Sequence, residues 1–236
     1  MSFFNQSENV PIAPAVPRVE IRPLMRLVYM WMGFGLLVTA LVAAYIGSNV
    51  ELLATAARFF WIAIIIELGL VIGISAAMNR LSPTVAAGMF FLYAVMNGVT
   101  LSFIFYAYEL GTIYTAFFAT AGMFGVMSII GMTTNIDLSR YSSLFVMGLI
   151  GLVIALVLNM FMPSDGFSIV ISLFGVVLFL GLTAWDTQKI KNMAANPEIE
   201  ASGDLTTKMA ILGALMLYLD FVNLFLFILR LLGSRD

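Results

Sequence analysis

Three carboxylates stand inside stretches of chain that are otherwise apolar. Asp220 lies in Leu217-Tyr218-Leu219-Asp220-Phe221-Val222-Asn223-Leu224-Phe225. Asp186 lies in Gly181-Leu182-Thr183-Ala184-Trp185-Asp186-Thr187-Gln188-Lys189-Ile190-Lys191, and Glu67 in Ile64-Ile65-Ile66-Glu67-Leu68-Gly69. Hydrocarbon penalises an ionised side chain by about 2.5–3.5 kcal/mol on insertion scales. An acid at that depth must therefore be protonated, bound to a cation or hydrogen-bonded, and it marks a functional position by default. Asp220 falls about twelve residues into its apolar run, which is mid-membrane for a helix at roughly 1.5 Å per residue. Asn223, at i+3, shares its face and is the expected supporting polar group. Asp186 sits where hydropathy falls off. If the helix continues past it, Asp186 and Asp220 come to similar depth on helices adjacent in sequence. Two carboxylates facing each other share one proton and titrate as a unit. A chain with no His and no Cys would then still carry a pH sensor, built on carboxylates alone.

Arg80 closes the run that holds Glu67. It either snorkels and sets topology, or pairs with Asp186 as a gate or latch. Asn97 and Asn159 are further polar candidates for the interior. The chain has no Gly-x-x-x-x-Gly-Lys loop and no His-Glu-x-x-His, so ATP-driven and zinc-dependent chemistry have no support. Two aspartates on adjacent helices also describe an intramembrane aspartyl protease, but no Gly-x-Gly-Asp precedes either one. We expect no enzyme and no cofactor. A net charge of -2 implies no nucleic-acid partner.

Helices must position these residues. The chain is 62% hydrophobic and 10% charged, against about 45–50% and 25% in a soluble domain. A mean hydropathy of +1.05 makes lipid part of the solvent and the bilayer the first partner. Seven stretches approach or exceed the ~20 apolar residues of a spanning helix: Leu24–Ile46, Phe59–Met78, Val85–Tyr108, Thr112–Met132, Leu144–Met162, Ser168–Trp185 and Met209–Leu232. They predict an all-α integral membrane protein, a seven-transmembrane-helix bundle over residues 24–236. Residues 1–23 hold four of the seven prolines and predict a disordered cytoplasmic tail. With the N-terminus inside, Arg18, Arg22, Arg26, Arg80, Arg140, Lys189, Lys191 and Lys208 fall on the cytoplasmic side, against Arg58, Arg230 and Arg235 outside. Gly69-x-x-x-Gly73 fits a close helix contact. The oligomeric state stays open.

At Asp186 and Asp220 the chain resembles the Bax inhibitor family, also called the transmembrane BAX inhibitor motif family, and within it the bacterial YccA-like and YbhL-like members. The two motifs quoted above carry the likeness, with Ile211-Leu212-Gly213-Ala214-Leu215, Leu229-Arg230, Thr120-Ala121-Gly122-Met123-Phe124-Gly125 and Ser139. The resemblance implies seven helices with a central helix surrounded by six, in a bacterial inner membrane. It implies a pH-sensitive calcium leak, with Asp186 and Asp220 as sensor pair and calcium site. It also implies an arginine latch at the cytoplasmic end of the second helix, where Arg80 stands, and an intramembrane acid at Glu67. The alternative it carries is a non-transporting interaction protein that modulates a membrane-bound ATP-dependent protease.

Overall fold

The computed structural model describes residues 22–78 and 80–233, with the side chains of Arg22 and Glu200 excepted. The predicted N-terminal tail therefore lies outside the described residues, apart from its last two positions, which open the first helix. The described chain forms helices α1 (Arg22–Gly47), α2 (Val50–Ala77), α3 (Pro83–Leu101), α4 (Ile104–Ala107), α5 (Leu110–Thr133), α6 (Ser142–Phe161), α7 (Asp165–Ala194), α8 (Pro197–Ala201) and α9 (Gly203–Leu232). A 3-10 turn, Leu138–Tyr141, precedes α6. Among the described residues seven helical spans are long and apolar enough to cross a membrane, α3 and α4 counting as one.

Several helices outrun their apolar cores because polar residues cap them. α2 starts nine residues before Phe59: Asn49 Oδ1 accepts from the N–H groups of Glu51 and Leu52 at 3.0 and 3.2 Å, and Glu51 favours the positive end of the helix dipole. Ser82 caps α3 with Pro83 in the first turn, a residue whose missing N–H costs nothing there. Ser202 caps α9, which begins six residues ahead of Met209. α7 runs on past Trp185 to Ala194, so Asp186 is an interior helical residue.

The helices alternate in direction. We call the end where α1 begins the near end and the opposite one the far end. α9 is the central helix. Ala210, Ile211, Ala214, Leu217, Tyr218 and Leu224 are all fully buried, and α9 packs against α1, α2, α3, α5 and α7. α6 is outermost: it joins the bundle through α7, and among its residues only Leu152 is buried. Lipid tails are as apolar as Leu, so close packing rather than water exclusion must hold such helices together. The tightest seam is α5 on α7, where a Cβ on Gly131 would stand 3.0 Å from the backbone Cα and C of Ala184, and closer still to its carbonyl oxygen. Gly69, by contrast, has nothing within 4 Å of its Cβ direction. The Gly69-x-x-x-Gly73 pattern therefore makes no close contact within the chain through its first glycine.

Candidate functional site

The α7–α9 seam brings Asp186 and Asp220 together. Two contacts set its register: a Cβ on Gly213 would meet Ile190 at 3.2 Å, and one on Gly175 would meet the Phe227 ring at 2.7 Å. The helices are therefore antiparallel. Moving toward the far end from the Ile190–Gly213 level, Asp186 is four residues along α7 and Asp220 seven along α9. At about 1.5 Å per residue their Cα atoms differ in height by roughly 4–5 Å. Helical side chains tilt toward the N-terminus of their own helix. Here that tilts Asp186 toward the far end and Asp220 toward the near end, which closes the offset. Lys189 follows Asp186 by three residues on α7.

Burial separates the two acids. Asp220 is 4% exposed and its Oδ2 has no hydrogen-bond partner; Asp186 is half-buried. Ser128 Oγ on α5, Thr187 Oγ1 on α7 and Tyr29 OH on α1 are also buried without partners. Thr187 adjoins Asp186, Ser128 stands one turn from Gly131, and Tyr29 follows Val28, whose side chain lies 3.0 Å from the Cβ direction of Gly213. Native interiors satisfy nearly all buried polar groups. Asp220 Oδ2 and these three hydroxyls are spread over α1, α5, α7 and α9, the helices that pack together at this seam. No group of three or more His, Cys, Asp or Glu suited to a metal occurs among the described residues.

Side chains that no sequence pattern marked fix this stretch of α7. Gln188 Nε2 donates to Ile136 O and its Oε1 accepts from Leu138 N–H, both at 2.8 Å. Lys191 Nζ donates to Met132 O at 2.7 Å, satisfying a carbonyl at the end of α5. Lys189 lies over the Trp185 ring at 5.5 Å. Toward the far end, the rings of Phe179 and Phe227 stack across the α7–α9 seam at 5.9 Å. Beyond them a cavity of about 250 Å³ is lined by Asp165, Ser168, Ser172 and Arg230.

Glu67 belongs to a second polar centre. It accepts from Asn97 Nδ2 at 3.2 Å and Thr100 Oγ1 at 2.9 Å. Asn97 Oδ1 accepts from Tyr218 OH at 2.9 Å, and Tyr218 OH meets Thr39 Oγ1 at 2.6 Å. This chain ties α2, α3, α9 and α1 together. Tyr218 precedes Asp220 by two residues, about 200° around the helix, so the two polar centres sit on opposite faces of α9. Asn97 thus lines the interior as expected, while Tyr218 and Thr39 gave no sequence signal. Asn223 donates to Leu219 O within its own helix at 2.8 Å, not to Asp220. Asn159 and Ser168 bond each other between α6 and α7. Arg80 is exposed in the turn between α2 and α3, and the structure does not bring it to the aspartate pair.

The family described as "Inhibitor of apoptosis-promoting Bax1" matches residues 21–236. The chain belongs to the Bax inhibitor family. It is 45% identical to the inner membrane protein YbhL of Escherichia coli strain K12, over 100% of both chains. It is 42% identical to a protein of Borreliella burgdorferi, covering 86% of this chain and 88% of that one. It is 40% identical to a protein of Deinococcus radiodurans, covering 92% and 93%. Membership and the seven apolar spans together make it an integral, multi-pass membrane protein.

Proposed function

We propose that this Bax inhibitor family member is a pH-sensitive cation leak, with calcium as the permeant ion and the Asp186–Asp220 pair as its sensor. One observation carries the reading. Asp220 is sealed in the bundle core with an unpaired carboxylate oxygen, and the register of the α7–α9 seam puts Asp186 at similar depth across it. A pair so placed responds to pH as a unit, and its net charge sets how strongly a cation is drawn into the core. The course of the α7–α9 seam also supports it. A cavity lined by Asp165, Ser168, Ser172 and Arg230 lies at the far end of the seam, and along the helix axes the stacked Phe179 and Phe227 rings stand between it and the carboxylates. In the proposed leak these rings are the apolar constriction, of the sort that gates a pore by dewetting.

In this reading the near end is cytoplasmic, as the distribution of Lys and Arg favours, and the membrane is the bacterial inner membrane. Arg80 serves as a latch only if the α2–α3 turn moves toward α7, because here it faces outward. The test is calcium uptake by sealed, calcium-free proteoliposomes between about pH 5 and 8, the range where physiological switches work. Uptake that varies with pH, and stops varying in Asp186→Asn or Asp220→Asn, bears the reading out. Folded wild-type protein that admits no calcium at any pH overturns it.

A further inference from the structure

A cavity of about 370 Å³ opens on the opposite side of α9 from α7, in the far half of the membrane. α1 contributes Thr39, Ala40 and Ala44, the α3–α4 break contributes Leu101 and Phe105, and α5 contributes Tyr114 and Phe118. Its floor is Phe221, Val222 and Phe225 of α9. Two features of the chain create it. α1 turns alanines toward the space where larger residues would fill it. α3 breaks at Ser102, just where it would otherwise run straight past. α1 and α5 flank the opening and make no extended contact with each other.

The chemistry of the lining names the occupant. Only Thr39 and Tyr114 bring polar side-chain atoms. The Thr39 hydroxyl is spent inward, on Ala94 O at 2.8 Å and Tyr218 OH at 2.6 Å. Tyr114 is 59% exposed at the mouth, near the far end of α5, where tyrosines sit at the membrane interface. Nothing inside can hydrogen-bond a ligand, so the occupant is hydrocarbon. The mouth lies within membrane-spanning helices, beside Phe118 at 70% exposure, so the occupant arrives from the bilayer. An apolar space of this kind, open to the hydrocarbon of the bilayer, suits a slender chain.

We propose that this cavity is a binding site for one phospholipid acyl chain of the far leaflet, threaded between α1 and α5. The chain packs on Phe221 and Val222, the two residues that follow Asp220, and against Thr39, which holds Tyr218. It thereby braces the segment of α9 that carries Asp220. The site stands whether or not the protein leaks cations.

The test uses the full-length protein in proteoliposomes containing phosphatidylethanolamine with a diazirine on its acyl chain. Labelled residues are mapped by mass spectrometry after illumination. Labelling at Ala44, Tyr114 and Phe118 should exceed that on the outer face of α6 at Ile150, Val153 and Ile154, which is equally open to lipid. Ala44→Trp should lower the α1–α5 labelling to the α6 level and leave α6 unchanged. Ala40→Leu, a smaller filling, makes the same comparison if the tryptophan variant does not fold. Equal labelling of the two faces in wild type, or an excess that both fillings leave intact, overturns the proposal. A photo-crosslinked dimer joined through the α1–α5 mouth, with little lipid label there, overturns it in favour of a second copy of the chain.

Discussion

Gly131→Ala adds one methyl group to α5 at the point where it touches the α7 backbone. The new Cβ would stand 3.0 Å from Ala184 C and Cα, with the carbonyl oxygen nearer. The neighbour is backbone, so no rotamer change relieves the clash and the helices must part. Overpacking of this kind costs about 1–3 kcal/mol. Alanine also gains up to ~1 kcal/mol of helix propensity over glycine, which would mask part of the loss. Gly125→Ala on the same helix supplies the correction, because a Cβ there has nothing within 4 Å. Between the two variants the propensity gain cancels and the clash remains. At roughly 2–4 °C per kcal/mol for a chain of this size, Gly131→Ala should melt about 2–12 °C below Gly125→Ala. The assay is thermal unfolding in one detergent, followed by size-exclusion chromatography with fluorescence detection. If the two variants melt together, α5 and α7 are not in backbone contact, and the packing that sets Asp186 in place is wrong.

Other perturbations follow from the hydrogen bonds. Asn97→Leu strips a partner from both Glu67 and Tyr218 and should cost about 1–3 kcal/mol in the same melting assay, as leaving buried polar groups unpaired does. Gln188→Ala frees the backbone of Ile136 and Leu138; hydrogen exchange over residues 134–141 should quicken, while α9 stays protected. Asp137 lies outside the spans, and its carboxyl is held below its usual range by the hydroxyl and N–H of Ser139, with a smaller contribution from Arg140. Its titration midpoint by NMR should therefore lie below that of an aspartate in a peptide, about 3.9, and Ser139→Ala should bring it back up.

The seven spans were legible because nothing but lipid tolerates runs like those of α2 and α6. Asp220 was legible as a charge in the middle of such a run. The length of α7 was not. Lys189 and Lys191 depress hydropathy just past Asp186, yet Lys191 reaches back to Met132 O and Gln188 is fully satisfied by the α5–α6 turn. The central helix was also hard to see, since a helix buried in protein and one bathed in lipid are equally apolar. In α9 Gly213 lets Val28 of α1 and Ile190 of α7 approach, but α6 has small residues too, Gly148, Gly151 and Ala155, so their presence alone does not mark the central helix. The Glu67–Asn97–Tyr218–Thr39 chain joins residues up to 179 positions apart, and no local pattern encodes such a meeting. Asn223 misled for the opposite reason. Its spacing put it on the face of Asp220, but an asparagine in a helix can return its amide to its own backbone, and this one does.

The central claim is that Asp186 and Asp220 act as one titrating unit, and a double-mutant cycle on the pH dependence of calcium uptake tests it most directly. Wild type, Asp186→Asn, Asp220→Asn and the double variant are compared in the same liposomes over the same pH range. Groups that share a proton are non-additive. Each single variant should flatten the pH profile, and the double should flatten it no further. Single variants that each remove part of the dependence, and add in the double, would mean two independent sites and would contradict the account.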